Sequence, residues 1–298
     1  MKKTNTLKRV AALVLALVMV FSMVPAMPSK AASTRSVTLY VGEAIYYTNY
    51  NKVRSTKSSK KSVASVSKDS SNNTHANIRA KKAGKATLTI RTTAGTQKIK
   101  VTVKKLNVTA SLKDLGNGYV MITVKNHTKQ IFESLTVGYA LTDTSGNIVL
   151  KDTVNVYNVL PGKTSYTKVY YNQRAYSLNI NTSAAVVGHS TYGSRSINYK
   201  YTNRSSKVKA SVTDRTSDSS SISFNVTTKN KTSASVSGSN YILLYDASNN
   251  VIGVENRSFY LRSHATDTTK ITIYTSTYKN YDHYKILTRA YSKKYKGF

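Results

Sequence analysis

The chain has 298 residues, of which 45 are basic and 12 acidic, giving a formal net charge of +33. It contains 23 Tyr but no Cys and no Trp, so a disulfide scaffold is excluded. A glycosidase needs two carboxylates flanking the bond it cleaves, and the scarcity of acids argues against such an enzyme. The length leaves room for two or three domains.

The first residues have the pattern of a targeting segment. A basic stretch containing Lys2, Lys8 and Arg9 precedes a short apolar run at 10–24, and SKA at 29–31 is a small-x-small cleavage site. The run is short for a membrane span, so we predict a secretory signal peptide over 1–31, with an uncleaved anchor as the alternative. Its removal takes away five basic residues and leaves a secreted, extracellular chain of charge +28 without a transmembrane segment.

Residues 32–105 are predicted to form the first module. Val37, Leu39 and Val41 alternate with polar residues, and Ile99, Val101 and Val103 do the same near its end. Short alternating strands of this kind, separated by glycine-containing turns, predict an antiparallel β-sandwich.

Four segments of this module resemble, in the right order, the bacterial immunoglobulin-like group 2 domain. They are 39–43 (LYVGE), 62–66 (SVASV), 80–90 (AKKAGKATLTI) and 99–103 (IKVTV). The polar loop at 68–74 is longer than is usual in that family. Members of the family occur in bacterial surface and adhesion proteins, mostly as spacers, so the resemblance implies location and architecture more than chemistry.

The rest of the chain contains a duplicated unit of about 100 residues, the usual size of one β-sandwich. Asp143 matches Asp246, and each follows an apolar run and begins a predicted hairpin turn. Two further pairs match in the same order: VTASLKD at 108–114 with VKASVTD at 208–214, and TVKNHT at 123–128 with TTKNKT at 227–232. The predicted modules are therefore 106–205 and 206–298.

The hairpin of the last module, LYD at 244–246, resembles the bacterial domains named for a Phe-x-Leu-Tyr-Asp motif, and LTD at 141–143 matches it in part. Neither turn has the alternating oxygen ligands and terminal Glu of a calcium loop, so we expect no metal. The expected fold is all-β, with three tandem immunoglobulin-like antiparallel β-sandwiches after a cleaved signal peptide. Since no Pro- or Gly-rich linker separates the modules, they are expected to form a semi-rigid rod.

Charge is concentrated in the first module, where residues 33–105 carry 16 basic and two acidic side chains. Such a field attracts polyanions and weakens with salt. A generic solubilising surface is the alternative. The candidate polyanion-binding residues lie mostly in predicted turns and loops: Lys52, Arg54, Lys57, Lys60, Lys61, Lys81, Lys82 and Lys85.

No catalytic pattern is found, and no cofactor is expected. The five histidines lack metal-ligand spacing, and Asp282 and His283 are expected to point to opposite faces of a strand. The many tyrosines beside basic residues are compatible with a sugar- or polyanion-binding surface, but the favoured interpretation is sandwich core and cross-strand pairs.

These patterns favour a secreted, non-catalytic surface protein of a Gram-positive bacterium, associated with the cell wall. Its expected partner is an anionic cell-wall polymer or a host polysaccharide, bound in adhesion or in a structural role. The alternative is an inert spacer that contacts a surface protein. Export argues against nucleic acid as a physiological partner, although the charge would allow it.

Overall fold

The computed structural model describes residues 33–48, 50–116, 118–171, 178–179, 184–188, 199–218, 221–274 and 281–295. The expected signal peptide, residues 1–31, lies outside this part of the chain. Every regular element of the described residues is a β-strand, which confirms the predicted all-β class.

The first sandwich contains seven strands. They are β1 (Ser33–Tyr40), β2 (Ala44–Thr48), β3 (Val53–Ser58), β4 (Ala64–Lys68), β5 (His75–Ala80), β6 (Gly84–Thr92) and β7 (Gly95–Lys104). One sheet has the order β1-β7-β6-β3, and the other has the order β2-β5-β4. Strands two, five and four in one sheet and three, six and seven in the other give the strand arrangement of the immunoglobulin fold. Strand β1 joins β7 in parallel, while the other pairings of this sandwich are antiparallel.

Apolar and polar residues alternate along these strands, and this alternation explains which side chains are buried. Along β7, Ile99, Val101 and Val103 are buried and the residues between them are not. Because successive side chains of a strand point to opposite faces, one face of each sheet enters the core and the other meets solvent. The buried set includes Leu39, Ile45, Tyr47, Ile78, Leu88 and Ile90.

The middle sandwich is built from β8 (Val108–Gly116), β9 (Tyr119–Asn126), β10 (Phe132–Asp143), β11 (Ile148–Val159), β12 (Thr164–Tyr170), β13 (Leu178–Asn179) and β14 (Ala184–Gly188), and its strand pairing differs from that of the first sandwich. One sheet has the order β12-β9-β8, and in the other β10 pairs with β11, β13 and β14. Tyr40 of the first sandwich contacts Phe132 of the middle one edge to face, with ring centroids 5.7 Å apart.

The last sandwich is built from β15 (Tyr199–Asn203), β16 (Val208–Ser217), β17 (Ser221–Asn230), β18 (Val236–Tyr245), β19 (Val251–Leu261), β20 (Thr266–Tyr274) and β21 (His283–Tyr295). Its sheets have the orders β16-β17-β20 and β15-β21-β18-β19. Strand β15 pairs antiparallel with β21 from Tyr199 opposite Tyr295 to Asn203 opposite Tyr291. The last sandwich thus draws on residues that precede the expected module boundary at 206.

The middle and last sandwiches pack face to face. These two modules are therefore not arranged end to end, as the expected rod required. The outer face of β9 and β8 contributes Met121 and Leu115, and the outer face of β18 and β19 contributes Tyr241, Leu243 and Val254. All five side chains are buried. Burial of a large apolar side chain contributes about 1.5–3 kcal/mol, so this seam is a stable interface rather than a loose contact.

Polar contacts fix the register of the same seam. Lys168 forms an ion pair with Glu255, and Arg289 Nε donates to the carbonyl of Thr164 over 3.1 Å. Asn256 Nδ2 donates to the carbonyl of Tyr166 over 3.2 Å. These bonds join strands of different modules, so the two sandwiches have one defined orientation.

Candidate anion-binding face

The outer face of the sheet β1-β7-β6-β3, called the basic face below, carries a regular array of cations. Lys98 and Lys100 point outward from β7 because Ile99 and Val101 occupy the inward positions. On β6, Lys85 and Arg91 are exposed at either end of the strand. The alternation that builds the core therefore also places these side chains together on the opposite face.

The strand register separates the cations by hydroxyl side chains. Lys57 lies opposite Thr89, and Thr89 lies opposite Lys98, so the three form one row across β3, β6 and β7. In the next rows Lys100 lies opposite Thr87, and Lys85 lies opposite Thr102. Residues directly opposite are about 5 Å apart, so cations two strands apart are separated by about 10 Å. Such spacing lets several ammonium groups contact successive charges of one extended anion.

The middle of the basic face is a shallow depression of about 340 Å³. Its lining combines ammonium and hydroxyl groups: Ser36, Ser59, Lys85, Thr87, Lys100 and Thr102. Hydroxyls donate hydrogen bonds to anion oxygens and accept them from O–H groups of a ligand, so this lining suits a charged and hydrogen-bonding ligand.

Two loops extend the basic face at one end of the sandwich. The carbonyl of Val63 accepts hydrogen bonds from the amides of Lys81 at 2.8 Å and Lys82 at 3.3 Å, and the amide of Val63 donates to the carbonyl of Lys60 at 3.0 Å. The β3–β4 turn with Lys60 and Lys61 therefore lies beside the β5–β6 loop with Lys81 and Lys82. All four side chains are exposed.

Lys52 and Arg54 lie at the other end of β3. The carbonyl of Lys52 accepts from the amide of Thr93 at 3.0 Å, next to the β6–β7 turn. A strand of this length spans about 17–20 Å, so these two cations are separate from the lysine loops. The structure thus places six of the eight predicted residues on the basic face or in the lysine loops beside it, and puts Lys52 and Arg54 at the opposite end of the sheet, near Arg91.

The sequence interpretation placed most of the predicted residues in turns and loops, and five of the eight lie there, but three lie in strands. Arg54 and Lys57 belong to strand β3, and Lys85 belongs to β6, rather than to turns and loops. It also missed Arg91, Lys98 and Lys100. The signal for the two lysines was present in the alternation KIKV at 98–101, where each cation flanks a predicted core residue.

The two acidic side chains of the first sandwich accept hydrogen bonds from residues close to them in the sequence. Glu43 is buried and its Oε2 accepts from the amide of Tyr40 at 2.9 Å. Asp69 accepts from both the hydroxyl and the amide of Ser71, at 2.7 and 2.9 Å, and these hydrogen bonds lower the pKa of Asp69. Both carboxylates therefore serve local structure.

The Asp143 and Asp246 turns are hairpins, as predicted. Asp143 accepts from the amide and side chain of Asn147 at 2.8 and 3.1 Å, and Asp246 accepts from Asn250 in the same way at 2.7 and 3.0 Å. Within the described residues, no group of three or more His, Cys, Asp or Glu side chains is placed to hold a metal ion.

Asp282 and His283 differ from expectation. Asp282 precedes β21, so the strand rule does not separate the two side chains, and Asp282 Oδ2 lies 2.8 Å from His283 Nδ1. The His283 ring also stacks on Tyr245 at a centroid distance of 4.9 Å. Both partners of the pair are exposed on a surface strand end.

The described part of the chain contains no helix long and apolar enough to cross a membrane. No protein-family model matches the chain, and no curated protein matches its sequence. Among solved structures, it is similar to bovine butyrophilin at 7% identity, covering 77% of this chain and 95% of that one, with a TM-score of 0.17.

It is also similar to the I9–I11 tandem of titin at 10% identity, covering 80% of this chain and 95% of that one, with a TM-score of 0.18. The eight N-terminal immunoglobulin domains of Down syndrome cell adhesion molecule match at 8% identity, covering 80% of this chain and 40% of that one, with a TM-score of 0.15. Scores this low carry no structural argument. The immunoglobulin-like description therefore rests on the strand order.

Proposed function

We propose that the protein is a secreted, non-catalytic binding protein of a bacterial cell surface that holds an anionic polysaccharide or cell-wall polymer on its basic face. The observation that carries the proposal is the ordered array of Lys57, Lys85, Lys98 and Lys100 on one face of a sheet. The sequence resemblance to surface-protein immunoglobulin-like domains supports the location.

A polyanion suits this face better than a small anion. The cations are exposed and spread across three strands, so no single enclosed pocket gathers them. Each surface contact between exposed charges is weak, about 0–1 kcal/mol, and affinity must come from many contacts along one chain. Such binding depends steeply on salt because exposed charges are screened.

The test is retention of mature protein, residues 32–298, on purified Gram-positive cell walls with and without their teichoic acids, across a salt gradient. A basic-face variant carries Gln at Lys57, Lys85, Lys98 and Lys100. Its matched control carries Gln at four exposed strand lysines of the other sandwiches: Lys151, Lys209, Lys229 and Lys270. Both variants lose the same charge.

Retention that requires the teichoic acids, falls with salt and is lost only in the basic-face variant would support the proposal. Equal loss in both variants would mean that net charge alone drives retention. Absence of retention at moderate salt would overturn the proposal and favour a spacer that contacts a protein.

A further inference from the structure

A pocket of about 230 Å³ lies in the seam between the middle and last sandwiches, far from the basic face in the chain. It is called the seam pocket below. Residues from both modules line it: Glu133, Ser134, Tyr157, Asn158, Ser237, Gly238, Ser258, Phe259 and Tyr291. It therefore exists only because the two sandwiches are held together.

The walls of the seam pocket are held in place by bonds between modules. Asn158 Nδ2 donates to Ser239 Oγ over 2.6 Å, and the hydroxyl of Tyr241 donates to the carbonyl of Tyr157 over 3.3 Å. Asn158 has a positive φ of 55°, in the left-handed region that Asn tolerates better than most residues. Asn158 lies one residue before the end of β11 and lines the pocket.

Gly238 shapes the floor. A Cβ at this position would lie 2.2 Å from the carbonyl oxygen of Arg289 and 2.5 Å from the Phe259 ring. The absence of a side chain lets the Phe259 ring cross the strand, since Phe259 is the register partner of Gly238. An aromatic side chain thereby becomes part of the lining.

One buried polar group in the seam pocket has no partner. Ser134 is 6% exposed, and its Oγ makes no hydrogen bond within the described part of the chain. A buried hydroxyl without a partner costs free energy, and proteins retain few of them. Ser134 lines the seam pocket, and rotation of its side chain would present this unpartnered hydroxyl to a bound molecule.

The charge of the lining is balanced. Glu133 Oε1 lies 3.3 Å from Lys293 Nζ, so the one carboxylate of the pocket is already paired. Burial and the neighbouring Glu133 raise the pKa of Tyr291, which keeps its phenol protonated. The remaining polar groups are hydroxyls and an amide, which hydrogen-bond neutral ligands.

We propose that the seam pocket binds one ring of a neutral sugar. A pyranose combines several hydroxyls with an apolar C–H face, and the lining combines Ser134, Ser237 and Ser258 with the aromatic residues Tyr157 and Phe259. The volume lies below the roughly 300 Å³ at which pockets for drug-sized ligands begin, so the pocket has room for a single ring. Tyr157 is 51% exposed and open to a ligand at the mouth.

The proposal is independent of polyanion binding, because the pocket and the basic face lie in different sandwiches. The test is saturation-transfer NMR on the mature chain with glucose, galactose, rhamnose and N-acetylglucosamine, each as the free sugar. Tetramethylammonium is added as a probe of the alternative that the aromatic residues bind a cation. Variants Ser134→Ala and Tyr157→Ala are compared with Tyr274→Ala, an exposed tyrosine of β20 outside the pocket.

At least one sugar should give a saturable signal with millimolar affinity. Ser134→Ala should weaken it about 2- to 10-fold, the value of one hydrogen bond, without lowering the melting temperature, because the hydroxyl has no protein partner to lose. Tyr157→Ala should weaken it about tenfold, and Tyr274→Ala and the basic-face variant should leave it unchanged.

Several results would overturn the proposal. They are no signal from any sugar, signal from tetramethylammonium alone, or sugar binding that is the same in Ser134→Ala and Tyr157→Ala as in the unmodified protein. A lower melting temperature of Ser134→Ala with unchanged binding would show that its hydroxyl is structural.

Discussion

Asn126 and Asn230 occupy the same place in two sandwiches and make the same hydrogen bonds. Both side chains are fully buried, with Asn126 at the end of β9 and Asn230 at the end of β17. Asn126 Oδ1 accepts from the amide of Thr128 at 2.9 Å, and Asn230 Oδ1 accepts from the amide of Thr232 at 3.0 Å. The duplicated Asn-x-Thr sequence therefore stabilises the turn that follows each strand.

Replacing either Asn by Ala should strongly destabilise its sandwich. Asn230 Nδ2 donates to the carbonyls of Ala234 and Arg262, both at 2.8 Å, so the truncation leaves buried groups without partners. We expect Asn230→Ala to lower the free energy of unfolding by about 2–4 kcal/mol, measured by urea unfolding followed by circular dichroism. The neighbouring exposed Lys229→Ala should change it by less than about 0.5 kcal/mol. Similar stability of the two variants would contradict the stabilising role of the Asn230 hydrogen bonds.

This duplication could be predicted from the sequence because each repeated motif makes its contacts with residues close to it in the chain. Turn chemistry at Asp143 and Asp246 depends on residues within one hairpin, and alternation at 99–103 identifies a strand without knowledge of its neighbours. Strand β3 escaped prediction because an edge strand buries little. Of its six residues only Val53 is buried, so the pattern VRSTKS resembles a loop.

The packing of modules is harder to predict from the sequence. Leu243 belongs to the run YILL at 241–244, in which both faces of the strand are buried, one in the core and one in the seam. A continuous apolar run indicates burial on both faces but does not say what covers the second face. The seam pocket could not be predicted either, because Ser134 and Phe259 meet only through that packing.

The seam predicts a difference between adjacent residues of β18. Leu243→Lys places a charge in the seam, whereas Ile242→Lys places one in the core of the last sandwich. We expect Leu243→Lys to separate the two sandwiches, with a larger radius of gyration in solution scattering and an unchanged β-sheet circular dichroism spectrum. Ile242→Lys should instead abolish the cooperative unfolding of the last sandwich. An unchanged radius of gyration for Leu243→Lys would mean that the seam does not hold the modules together.

The Asp246 hairpin should depend on pH. Hydrogen bonds from the backbone and then the side chain of Asn250 lower the pKa of Asp246 below that of an unfolded chain, about 3.9. Because the folded-state pKa is the lower one, the contribution to stability is present above the unfolded pKa and is lost as the pH falls through the folded pKa. A carboxyl NMR titration should place the Asp246 midpoint below the unfolded value. In Asn250→Ala, which retains the backbone donor, the midpoint should rise; an identical midpoint would contradict the role of the side chain.

The position of β15 in the sheet predicts which fragment of the chain forms a stable last sandwich. This strand covers the edge of β21 through Tyr199–Asn203, and ring pairs accompany the backbone pairing, with Tyr199 and Tyr295 centroids 5.5 Å apart. A fragment of residues 199–298 should therefore unfold at a higher urea concentration than one of 206–298, since the shorter fragment exposes both the unpaired edge of β21 and the Tyr291 and Tyr295 rings. A peptide with the sequence of residues 199–203, added to the shorter fragment at micromolar concentration, should not restore its stability. A free five-residue strand loses all of its conformational entropy on binding, and this cost opposes its association. Equal midpoints for the two fragments would show that β15 adds nothing to the stability of the last sandwich and that its sheet is complete without a strand from the junction.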